Sequence, residues 1–165
     1  MQITANTIHF FISYGVAFLA FGLIGKWYLW PSIKDRARKP ALTPLLLYAC
    51  LRVNGLMFVI PGLVSPELPS TFAVPTAYGD LAAVLLALIA LASVRLEKPF
   101  AVPVLWLFNI VGLLDLLWGN ISSLSYNVDP AQWGPAYYLV VLNVPAMIVI
   151  HIVMIAYLLR HRARQ

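Results

Sequence analysis

Five stretches of this chain, 8–30, 42–64, 72–94, 100–122 and 136–159, are almost wholly apolar. Each has about 20 residues or more, and at about 1.5 Å of rise per residue such a helix crosses the roughly 30 Å hydrocarbon core of a bilayer. In lipid, backbone polar groups must be bonded within their own segment, so runs of this kind predict helices. The expected fold class is therefore all-α: a polytopic membrane helical bundle of five transmembrane helices, forming a single domain over 1–165. Composition agrees. With 62% hydrophobic and only 10% charged residues, the chain has too few charges to cover the surface of a soluble domain of its length.

The connections alternate in charge. Lys26, Lys34, Arg36, Arg38 and Lys39 surround the first, Arg95 and Lys98 flank the third, and Arg160, Arg162 and Arg164 form the tail. The second carries only Glu67 and the fourth only Asp129. With five spans, every basic cluster falls on one side. Basic loops stay in the cytoplasm, so the N-terminus is expected outside and the C-terminus inside, in a bacterial cytoplasmic (inner) membrane. Gathered in this way, the net charge of +5 points to topology and away from nucleic acid. Residues 1–9 hold no Lys or Arg to form a signal-peptide n-region, so the first segment is expected to remain as a helix. Trp27, Tyr28 and Trp30 are expected at the inner interface, and Tyr126, Trp133, Tyr137 and Tyr138 at the outer one. The loop 122–135 is long enough to fold back over the bundle. Pro61 and Pro145 fall within predicted spans, where each can kink its helix.

Three charges lie inside the apolar segments: Arg52, Asp80 and Asp115. Charge at membrane depth is expensive and is read as a site by default. Counted at about 1.5 Å per residue, Arg52 and Asp80 fall at similar depth on neighbouring antiparallel helices. They are expected to pair, since a guanidinium matches a carboxylate. Asp115 has no obvious basic partner. It could be a protonated acid held by Asn or Ser, or could face an outward water cavity and there relay a proton or hold a cation.

Four amides, Asn54, Asn109, Asn120 and Asn143, extend this layer. Asn109, Gly112, Leu116 and Asn120 share one helical face, with Asp115 beside it. Asn143, Met147, His151 and Met154 share another, and Arg52, Gly55, Val59 and Gly62 a third. The candidate site residues are Asp115, Asp80, Arg52, Asn109, Asn143, His151 and Asn54, for a ligand, ion or proton; no catalytic residue is assigned. Small residues mark helix contacts, most clearly Gly79, Ala83, Ala87 and Ala90 in the third segment.

Several chemistries have no support. Cys50 is the lone cysteine, which leaves no thiol pair for redox exchange. His9 and His151 lie at opposite depths, roughly 20 Å apart, so they do not ligate one haem. No spacing suits a metal site, and no phosphate loop, G-x-S-x-G or H-E-x-x-H occurs. No metal and no cofactor is predicted.

The run from Leu51 and Arg52 through Gly55 and Phe58 to Gly62, followed by Tyr78-Gly79-Asp80, resembles the start of DoxX-like small membrane proteins over residues 45–94. The resemblance implies a four-helix bundle, to which segment 8–30 would be an addition, and in some relatives an accessory role beside redox enzymes. It carries over no catalytic residue.

Three functions are then open. The leading one is a non-enzymatic bundle that binds a lipid, quinone or other small molecule, or that serves as a subunit of a membrane complex or homo-oligomer. The second is a proton- or ion-coupled small-solute transporter. The third is an intramembrane enzyme on a lipidic substrate, for which no nucleophile or metal set is evident.

Overall fold

The structure, a computed structural model, describes residues 4–162; Arg164 of the basic tail lies outside them. The described residues form helices joined by short turns, and five helices are long and apolar enough to cross a membrane: Ala5–Ile33, Arg38–Val59, Ser70–Arg95, Ala101–Ser125 and Ala136–Arg162.

The first span opens on Thr4, whose hydroxyl accepts the backbone N–H of Thr7 at 3.2 Å and so satisfies a donor the helix cannot. It widens into a π-helical turn over Gly25–Leu29. Gly25 has to be small there, because a Cβ would stand 2.7 Å from Val149 of the fifth span.

The second span changes helix type. Arg38–Ala49 is α-helical and Cys50–Val59 is a 3-10 helix, a long run for that geometry. Three residues per turn bring positions three apart onto one line, and the buried line is Arg52, Gly55 and Phe58. This corrects the face expected from α-helical spacing: Val59 and Asn54 are exposed, and Gly62 is not on the helix. A 3-10 helix also rises faster, at about 2.0 Å per residue, so these 22 residues reach about 38 Å. The span therefore ends at Val59, five residues before the expected end at Val64. Pro61 and Gly62 lie in the following turn, where Gly62 takes φ 84°, a conformation that costs glycine little. Pro61 is thus no helix kink.

Pro145 is one. It has no N–H to offer the Val141 carbonyl, and the fifth span takes a wider π-helical turn over Leu139–Asn143 immediately before it. Between the fourth and fifth spans, Asp129 caps a short 3-10 turn, Pro130–Trp133, through a reciprocal capping box with Gln132.

The third span packs on both the second and the fourth, and the fifth touches the first, second and fourth. Ala77, Ala83, Ala87 and Ala90 are fully buried on the third span, which lets its neighbours come close. The first span is the outermost: 17% of its most apolar stretch is buried, against 50% for the fifth.

The two ends of the bundle differ. At one, Ser65 N–H donates to Gln132 O at 2.8 Å, Gln132 Nε2 to Glu67 O at 3.3 Å, and Thr4 to Asp129 at 3.2 Å; this is the loop end. At the other, the basic end, Lys39 pairs with Glu97 at 3.1 Å and Arg160 with Asp35 at 2.8 Å, while Tyr157 donates to Arg36 O. The hydrophobic core forms two clusters, one centred on Leu42, Leu46, Leu105 and Met154, the other on Phe10, Phe58, Phe72 and Trp133.

Candidate functional site

The charged residues meet inside the bundle. Arg52 is 2% exposed, and all three guanidinium nitrogens donate: Nε to Asp80 Oδ1 at 2.6 Å, Nη1 to the Gly112 carbonyl at 3.0 Å, and Nη2 to Asp115 Oδ2. The pairing with Asp80 forms as charge and depth suggest. Asp115, expected to lack a basic partner, has one, because the same guanidinium reaches both acids. Arginine suits this role, with rigidly diverging donors that can bind two carboxylates at once.

Glycines make room for it. A Cβ on Gly55 would collide with the Asp80 carboxylate, and one on Gly79 with that of Asp115. Each acid therefore crosses to Arg52 past a glycine on the preceding span. A Cβ on Gly112 would lie 2.6 Å from Cε1 and 2.7 Å from Nε2 of His151, and 3.1 Å from Arg52 Nη1.

His151 is fully buried and lies beside Phe108, with ring centres 4.8 Å apart. Asn109 Nδ2 donates to the Leu105 carbonyl at 2.7 Å, so its Oδ1 faces His151 Nδ1, 3.0 Å away, as an acceptor. That bond puts the ring proton on Nδ1. Nε2 is left as a buried acceptor without a partner, beside the Gly112 backbone that Arg52 also binds.

A partly open cavity lies between Arg52's two acids and the loop end. Its volume is about 50 Å³. Asp80 and Asp115 line it at the deep end; Phe10, Phe58, Phe72 and Trp133 line it nearer the loops, and Thr76, Gly119, Asn120 and Ser123 complete one side. Leu139 and Val140, in the π-helical turn, line it too, so the irregular backbone before Pro145 shapes this wall.

The chain matches one known family over residues 9–159, described as a Domain of unknown function (DUF8737). The chain belongs to this family. The match overturns the resemblance to DoxX-like proteins, since the family found is a different one and takes in all five spans, not residues 45–94 alone. The Arg-Gly-Phe spacing behind that resemblance has its own physical origin here: it is the buried line of a 3-10 helix. No curated protein and no solved structure matches the chain.

Of the residues singled out from sequence, the structure joins Arg52, Asp80, Asp115, Asn109 and His151 in one region. Asn54 is turned out of it by the 3-10 geometry, and Asn143, half-buried on the π-helical turn, lies off the hydrogen-bonded chain. Asn120 lines the cavity and accepts the Tyr14 hydroxyl at 3.0 Å. His9 is exposed near the loop end. Among the described residues, no group of three or more His, Cys, Asp or Glu could hold a metal ion. Trp133 is 2% exposed, buried as part of the loop 122–135.

Proposed function

We propose that this protein is a non-enzymatic membrane bundle that binds a small or lipidic molecule in the cavity above Asp80 and Asp115. The observation that carries the reading is the cavity's make-up: apolar and aromatic walls with two carboxylates at the deep end. Small-molecule sites have this character, mostly apolar with a few converging polar groups. The groups a helix clamp needs are already supplied by the Arg52 bonds, so a cavity bordering them is surplus to packing.

In this reading the spans lie in a bacterial cytoplasmic membrane with the loop end outside and both the basic end and the C-terminus in the cytoplasm. The grouping of Arg36, Lys39, Lys98 and Arg160 at one end supports that orientation, and a ligand would enter from the outer side. The outward flank of the first span, with Ile8, Phe11, Ile12, Val16 and Leu19 exposed, is apolar enough for lipid or for a partner subunit. A proton- or cation-coupled transporter is the second reading. It is favoured by one arginine serving two acids, an arrangement in which uptake of one positive charge neutralises the set.

The test is native mass spectrometry of the protein in lipid nanodiscs, comparing wild type with Gly119→Leu. Gly119 borders the cavity and a Cβ there meets nothing within 4 Å, so a leucine side chain starts into the space, and circular dichroism melts check that the variant stays folded. A bound small molecule carried by the wild type and lost from the variant supports the reading. A wild-type protein that carries none, and that binds no added lipid or small molecule in a manner sensitive to Gly119→Leu, overturns it.

A further inference from the structure

The polar atoms lining the cavity divide sharply into those already committed and those still open. Thr76 Oγ1 donates to Phe72 O at 2.8 Å and Ser123 Oγ to Asn120 O at 2.9 Å. Asn120 Nδ2 donates to Leu116 O at 2.8 Å. Both hydroxyls and one N–H of the Asn120 amide are therefore turned back onto their own helix, which leaves the second Asn120 N–H. Beyond it, what they leave towards a ligand is acceptor capacity: hydroxyl lone pairs and, at the deep end, the two carboxylates. Oδ2 of Asp80 and Oδ1 of Asp115 receive no bond from Arg52 and lie against Gly55 and Gly79. One more donor stands apart. The indole N–H of Trp133 is buried without a partner among the described residues, and Trp133 lines the same cavity.

Charge points the same way. Arg52 brings one positive charge, and Asp80 and Asp115 bring two negative ones when ionised. His151 supplies none: its bond to Asn109 places a proton on Nδ1, and Nε2, beside the same Gly112 backbone as the Arg52 guanidinium, meets no acceptor for a second one. One further positive charge completes the set. Arg52 itself does not line the cavity, so an anionic ligand would meet carboxylates and no guanidinium. A quinone, which offers only acceptors, would meet two carboxylates at the deep end and few N–H groups to bond. The walls favour a cation as well. Phe10 lies edge-on to Trp133 at 5.0 Å, and Phe58 edge-on to Phe72 at 5.7 Å; aromatic rings attract cations through their electron-rich faces.

We propose that the cavity takes a small organic monocation: a protonated amine on an apolar or aromatic body, its ammonium against Asp80 and Asp115 and an oxygen acceptor towards the Trp133 N–H. This inference rests on the reading of the cavity as a binding site and names the ligand class. The cavity is small and partly open, so the ammonium lies inside it at the acids and the apolar body extends towards the loop end.

The experiment uses a matched pair of probes, para-methoxybenzylammonium and para-methoxybenzyl alcohol, which share shape and ether oxygen and differ in charge. Each is titrated at neutral pH onto the full-length protein in nanodiscs, with empty nanodiscs as the partition baseline. Saturable binding of the ammonium at least about tenfold tighter than the alcohol is expected. Asp115→Asn should bring the two probes to similar affinity, and Gly119→Leu should abolish both. Circular dichroism melts show that each variant is folded. Because Asp115→Asn removes an Arg52 partner and could unfold the bundle, Gly119→Leu provides the independent arm. Equal or tighter binding of the alcohol, still lost in Gly119→Leu, overturns the cation inference and leaves the binding reading standing. Binding of neither probe above the baseline, alongside a native lipid displaced by Gly119→Leu, likewise overturns the inference alone. Absence of any ligand sensitive to Gly119→Leu overturns both.

Discussion

Gly79 stands where any side chain would run into the carboxylate of Asp115. Gly55 holds the same relation to Asp80. The two acids approach one guanidinium from neighbouring helices, and each passes a glycine on the way. The glycines are thus part of the charge cluster, although neither bears a polar group.

Gly79→Ala and Gly55→Ala should each destabilise the bundle by about 1–3 kcal/mol, the usual cost of forcing extra volume into a packed interior. Gly15→Ala and Gly22→Ala are the controls, since a Cβ at either meets nothing within 4 Å. Those substitutions should be neutral or stabilising by up to about 1 kcal/mol, from helix propensity. Thermal melts in detergent separate the two groups. If all four variants melt alike, the close approaches do not exist.

Arg52 should couple to both acids. Arg52→Gln leaves two buried carboxylates without their cation and should cost about 3–5 kcal/mol. In double-mutant cycles with Asp80→Asn and with Asp115→Asn, each pair should show a coupling of about 0.5–3 kcal/mol. Additivity in the Arg52–Asp115 cycle would mean that the guanidinium serves Asp80 alone.

Much of the fold was legible because hydrophobic length is a strong signal. Five apolar runs gave five helices, and the grouping of basic residues at one end followed from their place in alternate connections. The departures share a cause, which is helix type. Reading 42–64 at 100° per residue put Val59 and Gly62 beside Arg52 and counted Asn54 into the polar layer. The second span winds at three residues per turn from Cys50 onward, so Phe58 takes the place assigned to Val59 and Asn54 faces outward. No residue in 50–59 announces that change. In the site, charge and depth paired Arg52 with Asp80, yet they left Asp115 alone, because a depth estimate treats each guanidinium as having one partner. The burial of Trp133 was not legible for a similar reason: an aromatic residue near a span end shows its affinity for an interface, and only the folded loop packs it against Phe10.

The bond between Asn109 and His151 should matter as a pair. Asn109→Leu leaves the buried His151 Nδ1–H unpaired and should cost about 1–3 kcal/mol. Adding His151→Phe removes the stranded donor, so the double variant should be more stable than Asn109→Leu alone. Melting temperatures in detergent give the order. In the unsubstituted protein, ¹⁵N spectra of His151 should show a protonated Nδ1 and a bare Nε2; the opposite tautomer would contradict the hydrogen-bond direction described above.

Trp133 closes the loop end of the cavity, and its removal should be read in access as well as stability. The indole packs edge-on against Phe10 and lies within the second hydrophobic cluster, so Trp133→Ala should cost about 3–5 kcal/mol. Trp133→Phe retains most of the ring packing, loses only an N–H that has no protein partner, and should cost much less. The access measurement uses a cysteine at Ser123, which lines the cavity, in a Cys50→Ala background. A membrane-impermeant maleimide should label Ser123→Cys slowly when Trp133 is present, and several-fold faster in Trp133→Ala at a temperature where both proteins remain folded. Trp133→Phe should label at nearly the original rate, because the ring still blocks the opening. If Trp133→Ala leaves the labelling rate unchanged, the cavity is reached by another route and Trp133 serves only to pack the first span against the loop.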